Sequence, residues 1–307
     1  MVIGLPRALL FFKYRYLWEK FFEKLGCKVV LSEETNKKIL AYGIRFSIDE
    51  SCLPAKIYMG HIYSLIGKCD YILIPRIENF GPREGICAKF NATYDIVQNT
   101  FKDAKLLDYN IDVLNGKSEL KGFIGMGKTL RKSYFESLLA YIAAKKVQAK
   151  KQKFMISSQF ELLNSKNSLK ILIVSHPYNI YDKAFGHPII NYLKKLGALT
   201  IFADVADSKT CIKKSSEFSK NLYWTYNKEL IGAIGLYQGK VDGIIIVTAF
   251  PCGPDSLVNE LMFRKLKDIP VINIILDELQ GEAGLQTRIE SFVDIIKQRK
   301  GVGMPSG

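Results

Sequence analysis

The sequence has 307 residues, of which 48% are hydrophobic and 24% charged, and its 44 Lys and Arg against 30 Asp and Glu give a formal net charge of +14. This composition indicates a soluble globular protein with room for two domains. No apolar run approaches the ~20 residues that span a bilayer, and the amino terminus lacks the basic and apolar regions of a signal peptide. We therefore expect a cytoplasmic protein without a membrane partner, whose six cysteines are reduced or bind metal rather than form disulfides.

The positive charge is compatible with a nucleic-acid partner, an anionic small molecule or a lysine-rich surface. Much of the excess lies in residues 117–153, so the charge is local. The sequence contains neither a zinc-finger spacing nor an aromatic RNA-binding signature, and we do not expect a nucleic-acid partner. A basic surface would also suit a phosphate-rich ligand such as coenzyme A, or an acidic electron-transfer partner.

The first hundred residues alternate strands and helices. Apolar runs predict strands at 2–6, 27–31 and 70–75, and helical spacing predicts helices at 9–25, 33–42, 55–67 and 91–101. This order is typical of a parallel sheet covered by helices.

Residues 108–167 show no convincing strand, and a Lys-, Ala- and Leu-rich stretch predicts one long helix at 129–152. A second α/β pattern follows, with strands at 169–175, 199–202, 241–248 and 271–276, helices up to 197, at 227–237 and at 288–299, and a polar, basic stretch at 208–219. We predict an amino-terminal α/β domain (1–107), a helical connector or insert (108–167), a carboxyl-terminal α/β domain (168–300) and a disordered tail (301–307).

Residues 122–129, GFIGMGKT, fit the Walker A pattern letter for letter. That pattern requires a strand ending at its first glycine, so that backbone amides surround a phosphate. The preceding residues, NGKSELK, are polar and turn-like. We therefore interpret the match as chance within a helical segment, with a nucleotide loop as the alternative.

Three cysteines share one sequence context. Cys52, Cys87 and Cys252 each lie in a loop near proline or glycine, at the end of a strand or the start of a helix. A thiol held there is a candidate metal ligand or nucleophile, and the alternative is a small packed residue, the common fate of a free cysteine. Three ligands without a fourth would leave a coordination position open. The remaining cysteines suit structural roles: Cys27, Cys69 and Cys211.

The three histidines are widely spaced, which disfavours a histidine-based metal site. His176 follows a predicted strand and is a candidate ligand contact, although a hydrogen-bonded structural histidine is an equal alternative. His61 and His187 lie on predicted helices or helix caps, where a structural role is favoured. A thiolate site is more plausible, because cysteine ligands favour zinc or iron–sulfur clusters.

Read together, several segments resemble one family, the activase-related branch of the 2-hydroxyacyl-CoA dehydratase / benzoyl-CoA reductase superfamily. The resemblance runs from residue 2 to about residue 296. It is carried by IGLPR (3–7), LGCKVVLS (25–32), ESCLPAK (50–56), GH (60–61), YILIPR (71–76), CAKF (87–90), HPYNIYD (176–182), FPCGPDS (250–256) and DELQGEAGLQTR (277–288).

The resemblance implies two Rossmann-like parallel-sheet domains with helical additions and a [4Fe–4S] cluster in the crevice between them. By position, Cys52, Cys87 and Cys252 would be its ligands, with the fourth iron position left to a small ligand or substrate. Some relatives carry a double-cubane [8Fe–9S] cluster instead. Lys56 and Arg76 would offset the charge of the cluster.

The resemblance also implies a partner, an ATP-dependent activase that supplies low-potential electrons for reductive or radical chemistry on an acyl-CoA or small substrate. Nothing in the sequence resembles the ATPase module of that activase. Two alternatives stay open: a non-catalytic electron-transfer or cluster-carrier subunit, and a cluster-free ligand-binding module. We assign no catalytic residue, although Glu50, Asp255 and Glu282 lie near the motifs as candidate proton carriers, with helix capping as the alternative. A homo- or hetero-oligomer is compatible with the sequence.

Overall fold

The computed structural model describes residues 1–166, 168–279 and 281–301. The chain divides into two compact units, one made of Met1–Phe154 with Tyr223–Thr225 and the other of Met155–Leu222 with the residues from Tyr226 on. The domain boundaries predicted at residues 107 and 167 stay predictions. Residues 302–307 of the predicted tail lie outside the described part of the chain. No helix within that part is long and apolar enough to cross a bilayer.

The first unit contains a four-stranded parallel sheet. Its strands are β1 (Val2–Leu5), β2 (Lys28–Leu31), β3 (Tyr71–Asn79) and β4 (Leu106–Asp112), in the order β2-β1-β3-β4. Its helices are α1 (Phe11–Lys24), α2 (Lys37–Arg45), α3 (Leu53–Leu65), α4 (Ala88–Thr100), α5 (Glu119–Thr129) and the first two thirds of α6 (Tyr134–Asn164). Inner strands of such a sheet are covered on both faces, which explains why β1 and β3 are apolar runs.

The second unit repeats this arrangement. Its strands are β5 (Leu169–Val174), β6 (Ala198–Phe202), β7 (Gly243–Ala249) and β8 (Val271–Leu276), all parallel in the order β6-β5-β7-β8. Its helices are the end of α6, α7 (Pro177–Ile180), α8 (His187–Lys195), α9 (Ser208–Ser215), α10 (Thr225–Tyr237), α11 (Gly253–Lys265) and α12 (Glu282–Arg299). Short 3-10 turns cover Val113–Asn115, Ala203–Val205 and Gln238–Lys240.

Both sheets have the same strand order. The second strand lies on one side of the first, and the third and fourth strands lie on its other side, so the order of addition switches between the first and third strands. In open α/β sheets, ligands bind outside the carboxyl ends of the strands at such a switch point. These points lie between β1 and β3 in one unit and between β5 and β7 in the other. The predicted α/β class with two parallel sheets is therefore confirmed, and the predicted crevice between the domains stays a prediction.

The prediction that no strand follows residue 108 is wrong. β4 continues to Asp112 and pairs with β3 along its length. Its sequence, LLDYNID, does not show a strand pattern because it mixes apolar and charged residues, as an edge strand with one open side can. The predicted helical segment is helical from Glu119 on, but as two helices rather than one beginning at 129.

The Walker A match lies inside α5, so the interpretation as a chance match is confirmed. Its glycines have packing roles instead. A Cβ on Gly122 would lie 3.0 Å from the carbonyl oxygen of Asn110, and a Cβ on Gly127 would overlap Ser137 Oγ. Small residues at these positions let α5 pack closely against β4 and α6.

Candidate functional site

In the first unit, Cys52 and Cys87 occupy equivalent local positions. Cys52 is the residue before α3 and Cys87 the residue before α4, both with extended backbone and half-buried side chains. Lys89 Nζ, in the first turn of α4, lies 3.5 Å from Ser51 Oγ, the neighbour of Cys52. The two segments that carry these thiols are therefore in contact.

The loop before Cys87 is fixed by a distant segment of the same unit. The carbonyl oxygen of Gly85 accepts hydrogen bonds from Thr225 N at 2.9 Å and from Thr225 Oγ1 at 3.2 Å. Gly85 also forms a parallel bridge with Trp224, and the ring of Tyr223 lies where a Cβ on Gly85 would be. Three consecutive residues from the second half of the sequence thus anchor the loop that presents Cys87.

In the second unit, Cys252 follows β7 and is the residue before α11. Its backbone is extended and its side chain half-buried, as for the other two candidates. Asp255 lies in the first turn of that helix, three residues after Cys252. Because β3 and β7 hold the same place in their sheets, Cys87 and Cys252 follow equivalent strands of the two units.

Asp255 is the centre of a buried polar cluster. It is 5% exposed, and its Oδ1 lies 2.9 Å from His176 Nε2 and 2.8 Å from Asn227 Nδ2. Burial alone would raise the pKa of Asp255, but the positive charge of His176 and the hydrogen bonds from His176 and Asn227 hold it below its ordinary value. A buried carboxylate is tolerated when such partners replace its hydration.

His176 reaches this cluster from the end of β5, so the cluster lies at the switch point of the second sheet. The imidazole is 4% exposed and stacks on Tyr178, with ring centroids 5.0 Å apart and planes inclined by 16°. Thr248 and Asn259, which line the same pocket as His176, hydrogen-bond each other. Of the two sequence interpretations of His176, the hydrogen-bonded structural histidine agrees with these contacts.

Two other acidic candidates have no comparable setting. Glu50 and Glu282 are exposed. Asp255, in contrast, is buried and bonded to side chains of other segments, which neither exposure nor helix capping describes. The sequence did not predict these partners. A usable signal was present: His176 and Cys252 each follow a predicted strand, and parallel strands bring their carboxyl ends to one edge.

The basic candidates are also engaged. Arg76 donates from Nη2 to Asp95 at 2.7 Å, and its guanidinium lies 4.9 Å from the centroid of the Tyr94 ring. Lys56 is buried at 7% exposure on α3. Both residues belong to the same unit as Cys52 and Cys87. Their role in offsetting the charge of a cluster stays a prediction.

The remaining cysteines are packed, as the sequence favoured. Cys27 is buried, which raises the pKa of its thiol. Cys69 is half-buried, donates to the carbonyl oxygen of Leu65 at 3.5 Å, and has its pKa raised by burial. Cys211 was expected in a polar surface stretch, but it is 1% exposed and lies on α9, whose other side carries the polar residues.

His61 is a core histidine, as the sequence favoured. It is fully buried, with Nδ1 2.8 Å from Ser32 Oγ and Nε2 3.0 Å from Thr35 Oγ1. Burial, and to a smaller extent the charge of Arg7, lower the pKa of His61 to about 3. A histidine held neutral by two hydroxyl partners fixes α3 against the segment after β2.

The donor chemistry of Cys52, Cys87 and Cys252 fits an iron–sulfur cluster, because thiolates are its usual protein ligands. A thiol at a helix start also faces the positive end of the helix dipole, which favours the thiolate form. Within residues 1–166, 168–279 and 281–301, no group of three or more His, Cys, Asp and Glu side chains is already arranged as a metal site. The ligand assignment stays a prediction.

The chain matches none of the curated proteins with which it was compared. Among solved structures, it is similar to a crystal structure of ZnuA (11% identity, 96% of this chain and 98% of that chain, TM-score 0.28). It is also similar to the laminin-binding protein Lbp of Streptococcus pyogenes (9%, 97% and 97%, TM-score 0.27) and to a mutant of the laminin-binding adhesin Lmb from Streptococcus agalactiae (11%, 96% and 99%, TM-score 0.30). Similarities at these TM-scores support no argument about this chain.

A family comparison gives a firmer result over residues 2–206. The matched range includes Cys52, Cys87 and His176, whereas Cys252 and Asp255 lie beyond it. It also contains the whole first sheet and the first two strands of the second. The chain belongs to the family described as the CoA enzyme activase uncharacterised domain (DUF2229).

Proposed function

We propose that the protein is an iron–sulfur component of a CoA enzyme activase system. Cys52, Cys87 and Cys252 would hold a cluster of the [4Fe–4S] type, and the protein would use low-potential electrons from an ATP-dependent activase. The acceptor would be an acyl-CoA thioester or another small substrate, as in 2-hydroxyacyl-CoA dehydratases. The family assignment supports the association with CoA enzyme activases, and the remainder is proposed from the side chains.

The observation that carries the proposal is the shared setting of the three thiols. Each is a half-buried residue immediately before a 13-residue helix, whereas Cys27 and Cys211 are buried in the core. Partial exposure and a helix start are the conditions under which cysteines ligate or react. A purely structural role would not explain why three cysteines share both conditions.

The residues around the thiols have definable parts in this function. Lys89 and Ser51 keep the segments of Cys52 and Cys87 in contact, and Lys89 adds positive charge beside two thiolates. A bound cluster would supply one-electron transfer. Three protein thiolates would leave one iron position for a substrate or small ligand, by the same logic that distinguishes open from closed metal sites.

The positive surface suits the proposed partners. A net charge of +14 attracts acidic protein surfaces and the phosphates of coenzyme A, and it speeds their association at low salt. Electron transfer from an activase and binding of an acyl-CoA both benefit from this attraction. We therefore expect the association with either partner to weaken as ionic strength rises.

The test is anaerobic purification, or reconstitution with iron and sulfide, followed by iron and sulfide analysis and electron paramagnetic resonance. Serine would replace Cys52, Cys87 and Cys252 one at a time. Cys69→Ser is the matched control, because Cys69 is also half-buried but is bonded to Leu65 in the turn before β3. We expect about four irons per chain in the wild type and the control, with loss or an altered spectrum in the other three variants.

Two results would overturn the proposal: a wild type without iron after reconstitution, or equal iron in all four variants. The first would leave a cluster-free ligand-binding module. If iron is bound, saturable binding of an acyl-CoA, measured by calorimetry, separates an enzyme from an electron-transfer or carrier subunit.

A further inference from the structure

We infer that an exposed row of side chains on α6 is a docking surface for an acidic, amphipathic helix of a protein partner. The row, here named the α6 seam, consists of Phe135, Leu139, Ile142, Lys146, Ala149 and Lys153. It lies entirely in the first unit. The inference goes beyond the proposed function and does not depend on whether the protein binds iron.

The spacing of the α6 seam is that of a helix–helix contact. Its members follow one another at alternating intervals of four and three residues. This is the heptad spacing by which one helix packs along another. Such a row stays on one side of an α-helix, because residues three and four apart are neighbours on its surface. The seam therefore forms a continuous strip of about five helical turns.

The apolar end of the α6 seam is exposed to solvent. Phe135 is 73% exposed, Leu139 66% and Ile142 42%. The buried residues of this stretch lie on the opposite side of the helix: Ser137, Ala140 and Ala144. Single apolar residues scattered over a surface are ordinary, but a contiguous exposed group of large ones is typical of an interaction site.

Contacts on the other faces of α6 hold the helix in place. Tyr141 Oη donates to Glu119 Oε1 at 2.9 Å, and Lys145 Nζ forms a salt bridge with the same oxygen at 2.9 Å. Gln148 Nε2 donates to the carbonyl oxygen of Lys13 at 3.0 Å. The helix is therefore fixed to α5 and α1 before any partner binds. A preorganised surface of this kind loses less conformational entropy on binding than a flexible one.

Two lysines of the α6 seam define the charge of the partner. Lys146 and Lys153 are exposed, and neither forms a salt bridge within the part of the chain that the structure describes. Lys150, exposed beside the row, adds a third positive charge. A lysine covered by a docked helix loses hydration, which is unfavourable unless a carboxylate pairs with it. The helix that fits this row therefore has apolar residues opposite its apolar end and Glu or Asp opposite the lysines.

The same lysines disfavour a second copy of this chain as the occupant. In a parallel pairing of two copies, like positions face each other, so Lys146 would meet Lys146 and Lys153 would meet Lys153. In an antiparallel pairing centred on the row, each lysine would meet Ile142 or Phe135, and its charge would stay unpaired. Unpaired or like charges in a seam of this kind oppose the pairing.

The narrowness of the α6 seam disfavours a bilayer surface. An amphipathic helix that lies on a membrane buries a broad apolar face, whereas the apolar residues of the seam form a single row. The spacing and the charges together therefore favour an acidic helix over a membrane.

The test uses the full chain and two synthetic helical peptides of about three heptads each. The first peptide has Leu at the positions that would face the apolar residues and Glu at those that would face Lys146 and Lys153. The second has Lys in place of each such Glu. Binding is measured by the fluorescence anisotropy of a dye on the peptide. We expect the Glu peptide to bind at least about tenfold more tightly than the Lys peptide, a difference of about 1.4 kcal/mol, and to bind less tightly as salt rises.

Substitutions of apolar residues locate the binding surface. The double variant Leu139→Ser with Ile142→Ser removes the centre of the apolar end and should weaken binding of the Glu peptide at least about tenfold. The matched control is Phe154→Ser. Phe154 is 68% exposed on the same helix, but it follows Lys153 directly and so points about 100° away from the row. This control should bind the Glu peptide as the wild type does.

Exchange of charges tests the role of the two lysines. Lys146→Glu with Lys153→Glu should reverse the preference, so that the Lys peptide binds more tightly than the Glu peptide. The matched control, Lys37→Glu with Lys38→Glu, makes the same change of charge in the exposed first turn of α2, where acidic residues suit the helix dipole. It should keep the preference for the Glu peptide. Circular dichroism confirms that each variant is folded.

Reversal of the peptide preference by the exchange of Lys146 and Lys153 supports the docking surface. Equal affinity of the wild type for the two peptides overturns it, and so does a loss in Phe154→Ser as large as that in the double serine variant. Two further results would assign the row to another occupant: a wild-type dimer in sedimentation, or binding to phosphatidylserine vesicles, that the double serine variant abolishes. None of these measurements depends on iron, so failure of this inference and failure of the proposed function are separate results.

Discussion

Gly85 and Tyr223 are in direct contact although 137 intervening residues separate them in the sequence. The phenol ring occupies the space that a Cβ on residue 85 would need, and the next residue, Trp224, forms an isolated parallel β-bridge with Gly85. The loop that ends at Cys87 is therefore shaped by a segment that lies between α9 and α10 in the chain. Glycine at 85 is required by this close approach rather than by an unusual backbone angle.

Replacement of Gly85 should reveal this contact. Gly85→Ala is expected to destabilise the first unit by about 1–3 kcal/mol, the usual cost of overpacking, seen as a lower urea midpoint. Tyr223→Ala creates the space that the added methyl group at position 85 needs, so the double variant should be more stable than the sum of the single changes predicts. Strict additivity of the two changes would contradict the contact.

Two glycines of α5, Gly125 and Gly127, differ in the packing around them, and their replacement tests this difference. Gly127→Ala should destabilise the protein, because the added methyl group would overlap Ser137 Oγ. Gly125→Ala, two residues earlier, meets nothing within 4 Å and should stabilise by up to about 1 kcal/mol, the helix-propensity difference between the two residues. Thermal unfolding of both variants measures the contrast. Equal effects at 125 and 127 would be inconsistent with this packing.

His61 predicts a specific acid sensitivity. Its pKa is about 3 in the folded protein against 6.5 for an ordinary histidine, so the unfolded state binds a proton that the folded state does not. The stability from this site is complete above pH 6.5 and is lost as the pH falls toward 3, by about 1.4 kcal/mol per pH unit. Urea midpoints between pH 7 and pH 4, approximate settings for this window, would show the slope.

The controls for this prediction are two substitutions. His61→Gln retains polar partners for Ser32 and Thr35 but cannot titrate, so its stability should fall less steeply with acid than that of the wild type. His187→Gln replaces an exposed histidine and should leave the slope unchanged. Parallel slopes in all three proteins would show that His61 does not stay neutral in the fold.

The start of α6 is set by a reciprocal pair of hydrogen bonds. Glu136 Oε2 accepts from Ser133 N at 2.8 Å, and Ser133 Oγ accepts from Glu136 N at 3.2 Å, which forms a capping box. Ser133→Ala should cost about 1 kcal/mol, whereas Ser157→Ala, an exposed change within the same helix, should cost less. Denaturant unfolding compares the two. A larger loss at Ser157 would contradict the cap.

The parts of the fold that could be predicted are those that a local sequence pattern determines. β5 and β7 are short apolar runs rich in Ile and Val because both of their faces are covered, and such runs predict strands directly. β4 was not predictable in this way because Asp108, Asn110 and Asp112 interrupt its apolar residues. The predicted start of α6 is too early because composition alone does not show the capping box at Ser133.

The candidate site was predictable only in part, for a different reason. Proline and glycine beside Cys52 and Cys252 mark constrained turns, so local sequence pointed to these thiols. The partners of Asp255 lie 79 and 28 residues away, and no local pattern encodes such distances. Contacts of this kind follow from the strand order, which the sequence pattern did not specify.

The helix starts at Cys52, Cys87 and Cys252 have a thermodynamic consequence. None of these side chains accepts a hydrogen bond from its own helix, whereas Ser, Thr, Asp or Asn in the same place would typically stabilise the helix by about 1 kcal/mol each. A sequence selected for stability alone would have a residue with a side-chain oxygen, such as Ser or Asp, at all three positions. Sulfur at these positions is consistent with the proposed site, since working sites typically trade stability for activity. A triple Cys→Ser protein should unfold at a higher urea concentration than the metal-free wild type.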